Sequence, residues 1–244
     1  MGDSLSIQHQ EQGRSQLVKM GLMAGLTLFL CLFALGQGSS SQLDVLTTAK
    51  IVLGLESGTE IQSSIIWELR LPRVLMAIIG GVGLATAGAL MQGCLGNPLV
   101  SPLTLGVASG AALGAALAIV LGFSFTTIGA FAIAGNAFVF SLIVVFIIIQ
   151  LGRYRSISAE SYILVGIAIT FIAGAIVSTM QYFATDAQLS QLAHWSFGSL
   201  ARPDMVIVLG IGIVVFGLMP QAMLGRGTSM RCPWVAMTLP SQRA

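Results

Sequence analysis

Four windows of this chain carry no Asp, Glu, Lys or Arg: Met20–Leu43, Val74–Gly152, Ser161–Thr185 and Met205–Gly225. About 20 apolar residues in a helix cross a bilayer. The windows therefore hold one, three, one and one crossings once the longest is cut at its Pro and Gly clusters. Only 8% of the 244 residues are charged and 55% are hydrophobic, with a mean hydropathy of +0.91, whereas soluble domains average about 25% charged. A water-soluble globular domain is excluded. The expected fold is all-α, a polytopic transmembrane helix bundle with six spans.

The spans are predicted at about 17–36, 71–92, 98–122, 128–151, 160–183 and 205–224. A polar tail at 1–16 precedes them, with Arg14 and Lys19 ahead of the first apolar run. Ala34-Leu35-Gly36 is small enough to suggest signal-peptide cleavage, but the long leading segment with Asp3 and Glu11 argues against it. Residues Gln37–Glu68 form a large extramembrane loop in which Ile51–Leu55 is too short to cross. The second span opens at Leu71-Pro72, because Pro suits a first helical turn, and Gly93–Asn97 turns the chain. Asn97-Pro98 reads as an N-cap and first helical position for the third span, with a weaker copy at Ser101-Pro102. Phe123–Thr127 is a turn, the fourth span stops at Gly152-Arg153-Tyr154-Arg155, and Ala184–Asp204 links the last two spans.

Lys and Arg placement sets the orientation. With the N-terminus inside, Arg14, Lys19, Arg153, Arg155, Arg226, Arg231 and Arg243 fall inside, and Lys50, Arg70, Arg73 and Arg202 fall outside. A net charge of +2 without a basic run argues against nucleic acid, since phosphate binding needs clustered cations. Cys31, Cys94 and Cys232 form neither a CxxC nor a Cys/His group, so they read as small apolar fillers, with no metal site and no disulfide framework. No Asp, Glu, Lys, Arg or His sits mid-membrane in the six predicted spans. Ion-coupled carriers and proton pumps usually need one, so the driving energy must come from another component.

Two rows of small residues repeat at every fourth position: Gly106, Gly110, Gly114, Ala118 and Gly122, then Gly166, Thr170, Gly174 and Ser178. Such rows let helix backbones approach closely in lipid. One enzymatic alternative is an intramembrane serine protease. Gly106-Val107-Ala108-Ser109-Gly110 loosely resembles the motif of rhomboid intramembrane serine proteases, but Val107 stands where that motif has Gly, and His194 lies in a loop rather than in a span.

Between Leu69 and Gly114 the sequence becomes specific. Leu69-Arg70-Leu71-Pro72-Arg73, Gly83-Leu84-Ala85-Thr86-Ala87-Gly88-Ala89-Leu90-Met91-Gln92, Asn97-Pro98-Leu99-Val100-Ser101-Pro102 and Leu105-Gly106-Val107-Ala108-Ser109-Gly110-Ala111 closely resemble the FecCD permeases. These are membrane subunits of ABC importers for iron(III) siderophores, haem and cobalamin. Weaker similarity continues through Leu164-Val165-Gly166-Ile167-Ala168 and Trp195-Ser196-Phe197-Gly198-Ser199-Leu200, so that residues 17–224 form the permease region.

The resemblance implies a permease subunit of a ten-helix fold in the bacterial inner membrane, paired with a second permease subunit, identical or paralogous. A periplasmic substrate-binding protein would dock outside, and ABC ATPase subunits inside would use ATP and Mg. This chain would bind no cofactor itself, and the resemblance names no substrate residue. It implies that Arg70 and Arg73 dock the binding protein. Pro72, Gln92, Asn97, Pro98, Pro102, Gly106, Gly110 and Gly114 are expected to shape turns and helix packing. The chain resembles only the first six helices, and residues 225–244 read as an aberrant cytoplasmic tail. Gly225-Arg226-Gly227 stands where the family carries Gly-Glu and then Ala-x-x-Leu-Gly. A shifted reading frame would explain it, because one codon choice for Met230 to Val235 read two bases later gives Ala-Leu-Ser-Leu-Gly. A truncated, non-transporting remnant is the alternative expectation.

Overall fold

The computed structural model describes residues 2–37, 43–125, 129–154, 158–200 and 203–224. The tail at 225–244, together with Arg155 and Arg202, lies outside the described residues. Every regular element among those described is helical. Six helices are strongly apolar, as expected, and four of them are long enough to cross a membrane: Arg14–Gly36, Glu60–Leu95, Phe131–Leu151 and Glu160–Phe183. The two shorter ones are Val107–Val120 and Met205–Gln221.

The described residues divide into two compact units, one within 2–79 together with 200–211, the other within 80–199 together with 212–224. In the first, helix α1 (Gly2–Gly36) is followed by α2 (Val45–Val52) and α3 (Glu60–Ser64). The expected loop at Gln37–Glu68 is therefore partly helical. Asp44 caps α2 by accepting from the Val45 N–H at 2.7 Å, and Thr59 and Gln62 form a reciprocal capping box on α3. Leu43, Ile51 and Ile66 make a small core beneath these helices. Gly36 sits hard against α2, since a Cβ there would lie 2.5 Å from Val45 Cα.

After α3 the helix does not stop. Residues Ile65–Arg70 widen into a π-helix and run straight into α4 (Leu71–Leu95). Pro72 explains the widening. It lacks an N–H and its ring crowds the carbonyl four residues back, and the neighbouring Leu71 N–H bonds Ile66 O, one residue further back than in an α-helix. Pro72 thus lies inside a continuous helical run, which corrects the expectation that it opens a span.

The second unit is built on α5 (Val107–Val120), α6 (Gly129–Tyr154), α7 (Ala159–Phe183) and α8 (Asp186–Phe197), with the ends of α4 and α9 (Met205–Leu224). Helix α5 begins at Val107, not at Pro98. At 1.5 Å per residue it rises only about 21 Å, and residues 96–106 ahead of it form turns. Helix α8 was not anticipated. Cys31 is free, but Cys94 is disulfide-bonded, so not all three cysteines are fillers.

Close approach of α5 and the turn ahead of it to their neighbours rests on three glycines. A Cβ on Gly110 would lie 2.5 Å from Val144 Cγ2, one on Gly114 2.5 Å from Asn136 O, and one on Gly166 of α7 2.5 Å from Thr104 O. Two other members of the rows behave differently. Gly122 adopts φ +67 in the turn after α5, and Gly174 has open space around it. Asn136, fully buried, fixes that turn by donating to Phe123 O at 2.6 Å and accepting from the Phe125 N–H at 3.0 Å.

This contrast yields a prediction. Gly114→Ala meets backbone that cannot swing aside, and overpacking of this kind costs about 1–3 kcal/mol. Gly174→Ala meets nothing and gains helix propensity of up to about 1 kcal/mol. Thermal unfolding of the two variants in detergent should move in opposite directions.

Candidate functional site

The sequence-predicted residues fall into two groups, one in each unit. In the first unit the π-helix ends on Arg70, whose side chain is only 8% exposed. Its Nη1 donates to the backbone carbonyl of Leu35 at 2.6 Å, within the last turn of α1. The last carbonyls of a helix lack intrahelical partners, and a cation there also complements the negative end of the helix dipole. Arg70 is thus tied to the end of α1. Arg73, one turn further, is exposed, while Pro72 between them is buried.

The second group gathers at the turn between α4 and α5. Gln92 Nε2 donates to Pro98 O at 2.9 Å, closing the turn from the helix side. Asn97 Oδ1 accepts from the Leu99 N–H at 2.9 Å. Asn97 therefore holds a local side-chain turn instead of capping α5, and Pro98 is not a first helical residue. Ser101 and Thr104 bond reciprocally: the Ser101 N–H donates to Thr104 Oγ1 at 2.9 Å and the Thr104 hydroxyl to Ser101 O at 2.9 Å. Pro102 lies between them, half-buried.

The N-cap of α5 is Gly106, with φ 76 and ψ 6, a left-handed conformation that glycine adopts without strain. It also touches α7, because a Cβ there would lie 2.8 Å from Gly166 O. Val100, fully buried, and Leu105 pack with Val144 and Ile148 of α6. The turn is consequently a wedge of irregular backbone gripped by α4, α6 and α7.

A hydroxyl pair lies further along α5. Ser109 donates to Thr170 Oγ1 at 3.3 Å, and the Thr170 hydroxyl donates to Gly166 O at 2.9 Å. The relay ends on a backbone carbonyl and contains no imidazole, so it lacks the base that a serine nucleophile needs. Among the described residues, no three or more His, Cys, Asp or Glu side chains converge to hold a metal. Sequence reasoning did not find Gln188. The spacing Thr185-x-x-Gln188 was the available signal, since it spells a capping box and α8 starts there.

The geometry defines a polytopic α-helical membrane protein packed on glycine contacts around an irregular turn. Comparison with known proteins gives the family. Residues 26–227 match the FecCD transport family, and the chain belongs to it. A hemin transport system permease protein of Yersinia pestis is 36% identical over 210 residues, covering 85% of this chain and 61% of that protein. A vitamin B12 import system permease protein of Vibrio cholerae is 30% identical over 178 residues, covering 69% and 53%. A solved structure described as an inward-facing metal-chelate type ABC transporter superposes with a TM-score of 0.62 at 26% identity, covering 91% of this chain and 63% of that one. The chain thus spans less than two thirds of the length of each of these proteins.

The two arginines are expected to behave differently. Arg70→Ala removes a charged donor from a buried carbonyl, where such bonds contribute about 1.5–3 kcal/mol. Arg73→Ala changes an exposed position, where effects usually stay within about 0.5 kcal/mol. Equilibrium unfolding in mixed micelles should separate the two.

Proposed function

We propose that this chain forms part of the permease subunit of a binding-protein-dependent ABC importer for a bulky chelate, namely an iron(III) siderophore, haem or cobalamin. The family match over residues 26–227 carries the reading, and the hemin and vitamin B12 permeases support the substrate class. The chain is a transport component and not an enzyme; ATP is hydrolysed with Mg by separate ATPase subunits on the cytoplasmic side of the inner membrane. Transport proceeds by alternating access, in which helices move about a central site. A second permease subunit, identical or paralogous, completes the pathway, and the N-terminus is cytoplasmic.

On the outer side we propose that Arg73 and Arg70 meet acidic groups of the binding protein, because guanidinium groups pair bidentately with carboxylates. Exposure favours Arg73 as the direct contact. Arg70, held on Leu35 O, fixes the helix that presents it.

The test is uptake into inverted-topology-controlled proteoliposomes holding this chain with its ATPase and binding protein. Radiolabelled iron(III) hydroxamate, haemin and cyanocobalamin are supplied separately. ATP-dependent accumulation of one of them is expected, and Arg73→Glu should lower the affinity for the binding protein by about tenfold, roughly 1.4 kcal/mol. A correctly inserted chain that accumulates none of the three would reject the reading.

A further inference from the structure

One side chain on α8 serves two helix ends at once. Thr185 is the N-cap of α8: its Oγ1 accepts from the Gln188 N–H at 3.4 Å, and Gln188 Oε1 accepts from the Thr185 N–H at 2.9 Å. The other half of the same amide turns to α5. Gln188 Nε2 donates to Ile119 O at 3.2 Å and to Val120 O at 3.1 Å, the last two residues of that helix. First N–H groups and last carbonyls of helices lack partners within the helix, and here one amide supplies both. The dipoles agree as well, with the negative end of α5 set against the positive end of α8.

Packing follows the same face. Leu192, one turn beyond Gln188, is buried with Ala116 and Ile119 of α5, and Trp195 and Val120 lie against this cluster. Positions 188, 192 and 195 share one side of a helix. Val177 and Met180 of α7 lie against the same cluster, and the covalent link from α7 is Ala184 and Thr185, both extended, with ψ of 149 and 160.

We propose that Gln188 is a positioning residue that latches the start of α8 to the end of α5. The residue type carries the argument. A capping box takes Glu as well as Gln, but only the amide can accept at Oε1 while donating at Nε2. On the transport reading above, on which this consequence rests, α8 keeps its hold on α5 during alternating access.

The experiment uses the full chain in lipid nanodiscs with Trp67→Phe and Trp234→Phe, leaving Trp195 as the sole tryptophan among the three in the sequence. Gln188→Glu keeps the box acceptor and loses the donor. At about pH 8 the Trp195 emission should shift to the red with stronger acrylamide quenching. Well below the usual carboxylate pKa of about 4.3 the protonated group donates again, and the emission should return toward that of the parent. Gln188→Ala should be shifted at both pH values, and Gln188→Asn, whose shorter amide falls short of α5, provides the same readout if the charged variant does not fold. Unshifted emission in Gln188→Glu and Gln188→Asn would overturn the latch.

Emission needs no import, so an unsubstituted chain that imports nothing rejects the transport reading while the latch is still judged by Trp195. In a chain that imports, a severalfold slower import for Gln188→Glu at about pH 8 is expected. Unchanged import despite shifted emission would overturn the claim that α8 keeps its hold on α5 during alternating access.

Discussion

Each break in a helix leaves backbone N–H and C=O groups without a helical partner, and something other than the helix has to bond them. The rest of this structure depends on how those breaks are closed. Amide side chains close three of them. Gln92 bonds the carbonyl of Pro98 where α4 gives way to the turn, Asn136 holds Phe123 and Phe125 after α5, and Gln188 joins the end of α5 to the start of α8. Asn and Gln suit this work because each offers a donor and an acceptor on a neutral group. They complete backbone bonding without the desolvation penalty that a charge would bring.

The glycine contacts and the closed breaks reinforce each other. Gly114 brings α5 so near α6 that Asn136 on α6 comes within reach of the loop leaving α5. Gly106 and Gly166 likewise bring the turn at 97–106 onto α7, where Val100 and Leu105 find their core. Small residues and amides are thus parts of one packing solution. In lipid, where hydrophobic burial gives helices little reason to associate, close contact and polar closure take over that function.

How much of this was legible in sequence depends on the range of the interaction. The apolar runs and their order could be read because span length is set by bilayer thickness, a property of the solvent, and six apolar helices stand where the charge-free windows placed them. The family motifs located Arg70, Pro72, Gln92, Asn97 and Gly106 without revealing what each bonds. Pro72 looked like a helix start because the local rule for Pro assumes an α-helix, and the π-helix over Ile65–Arg70 evades that rule. Asn97-Pro98 looked like an N-cap because capping is read from neighbours in sequence; the turn instead continues to Gly106, held by α6 and α7. Helix α8 escaped because its apolar face is short, and its hold on α5 spans residues 119 to 188.

Arg70 is the exception to neutral closure, and its placement explains why a charge is tolerated there. The carbonyl it binds belongs to the final turn of α1, where the helix dipole already concentrates partial negative charge. A buried guanidinium facing that end is partly compensated, whereas the same group facing a helix start would be repelled. The π-helix supplies the geometry, since its wider turn resets the angular position of every residue after it. Without the constraint imposed by Pro72 the helix would wind as α and Arg70 would point elsewhere around the axis. The Arg-Leu-Pro-Arg sequence can therefore be read as one mechanical device: Pro72 sets the winding, the winding directs Arg70 onto α1, and Arg73 is left exposed on a helix that is now fixed.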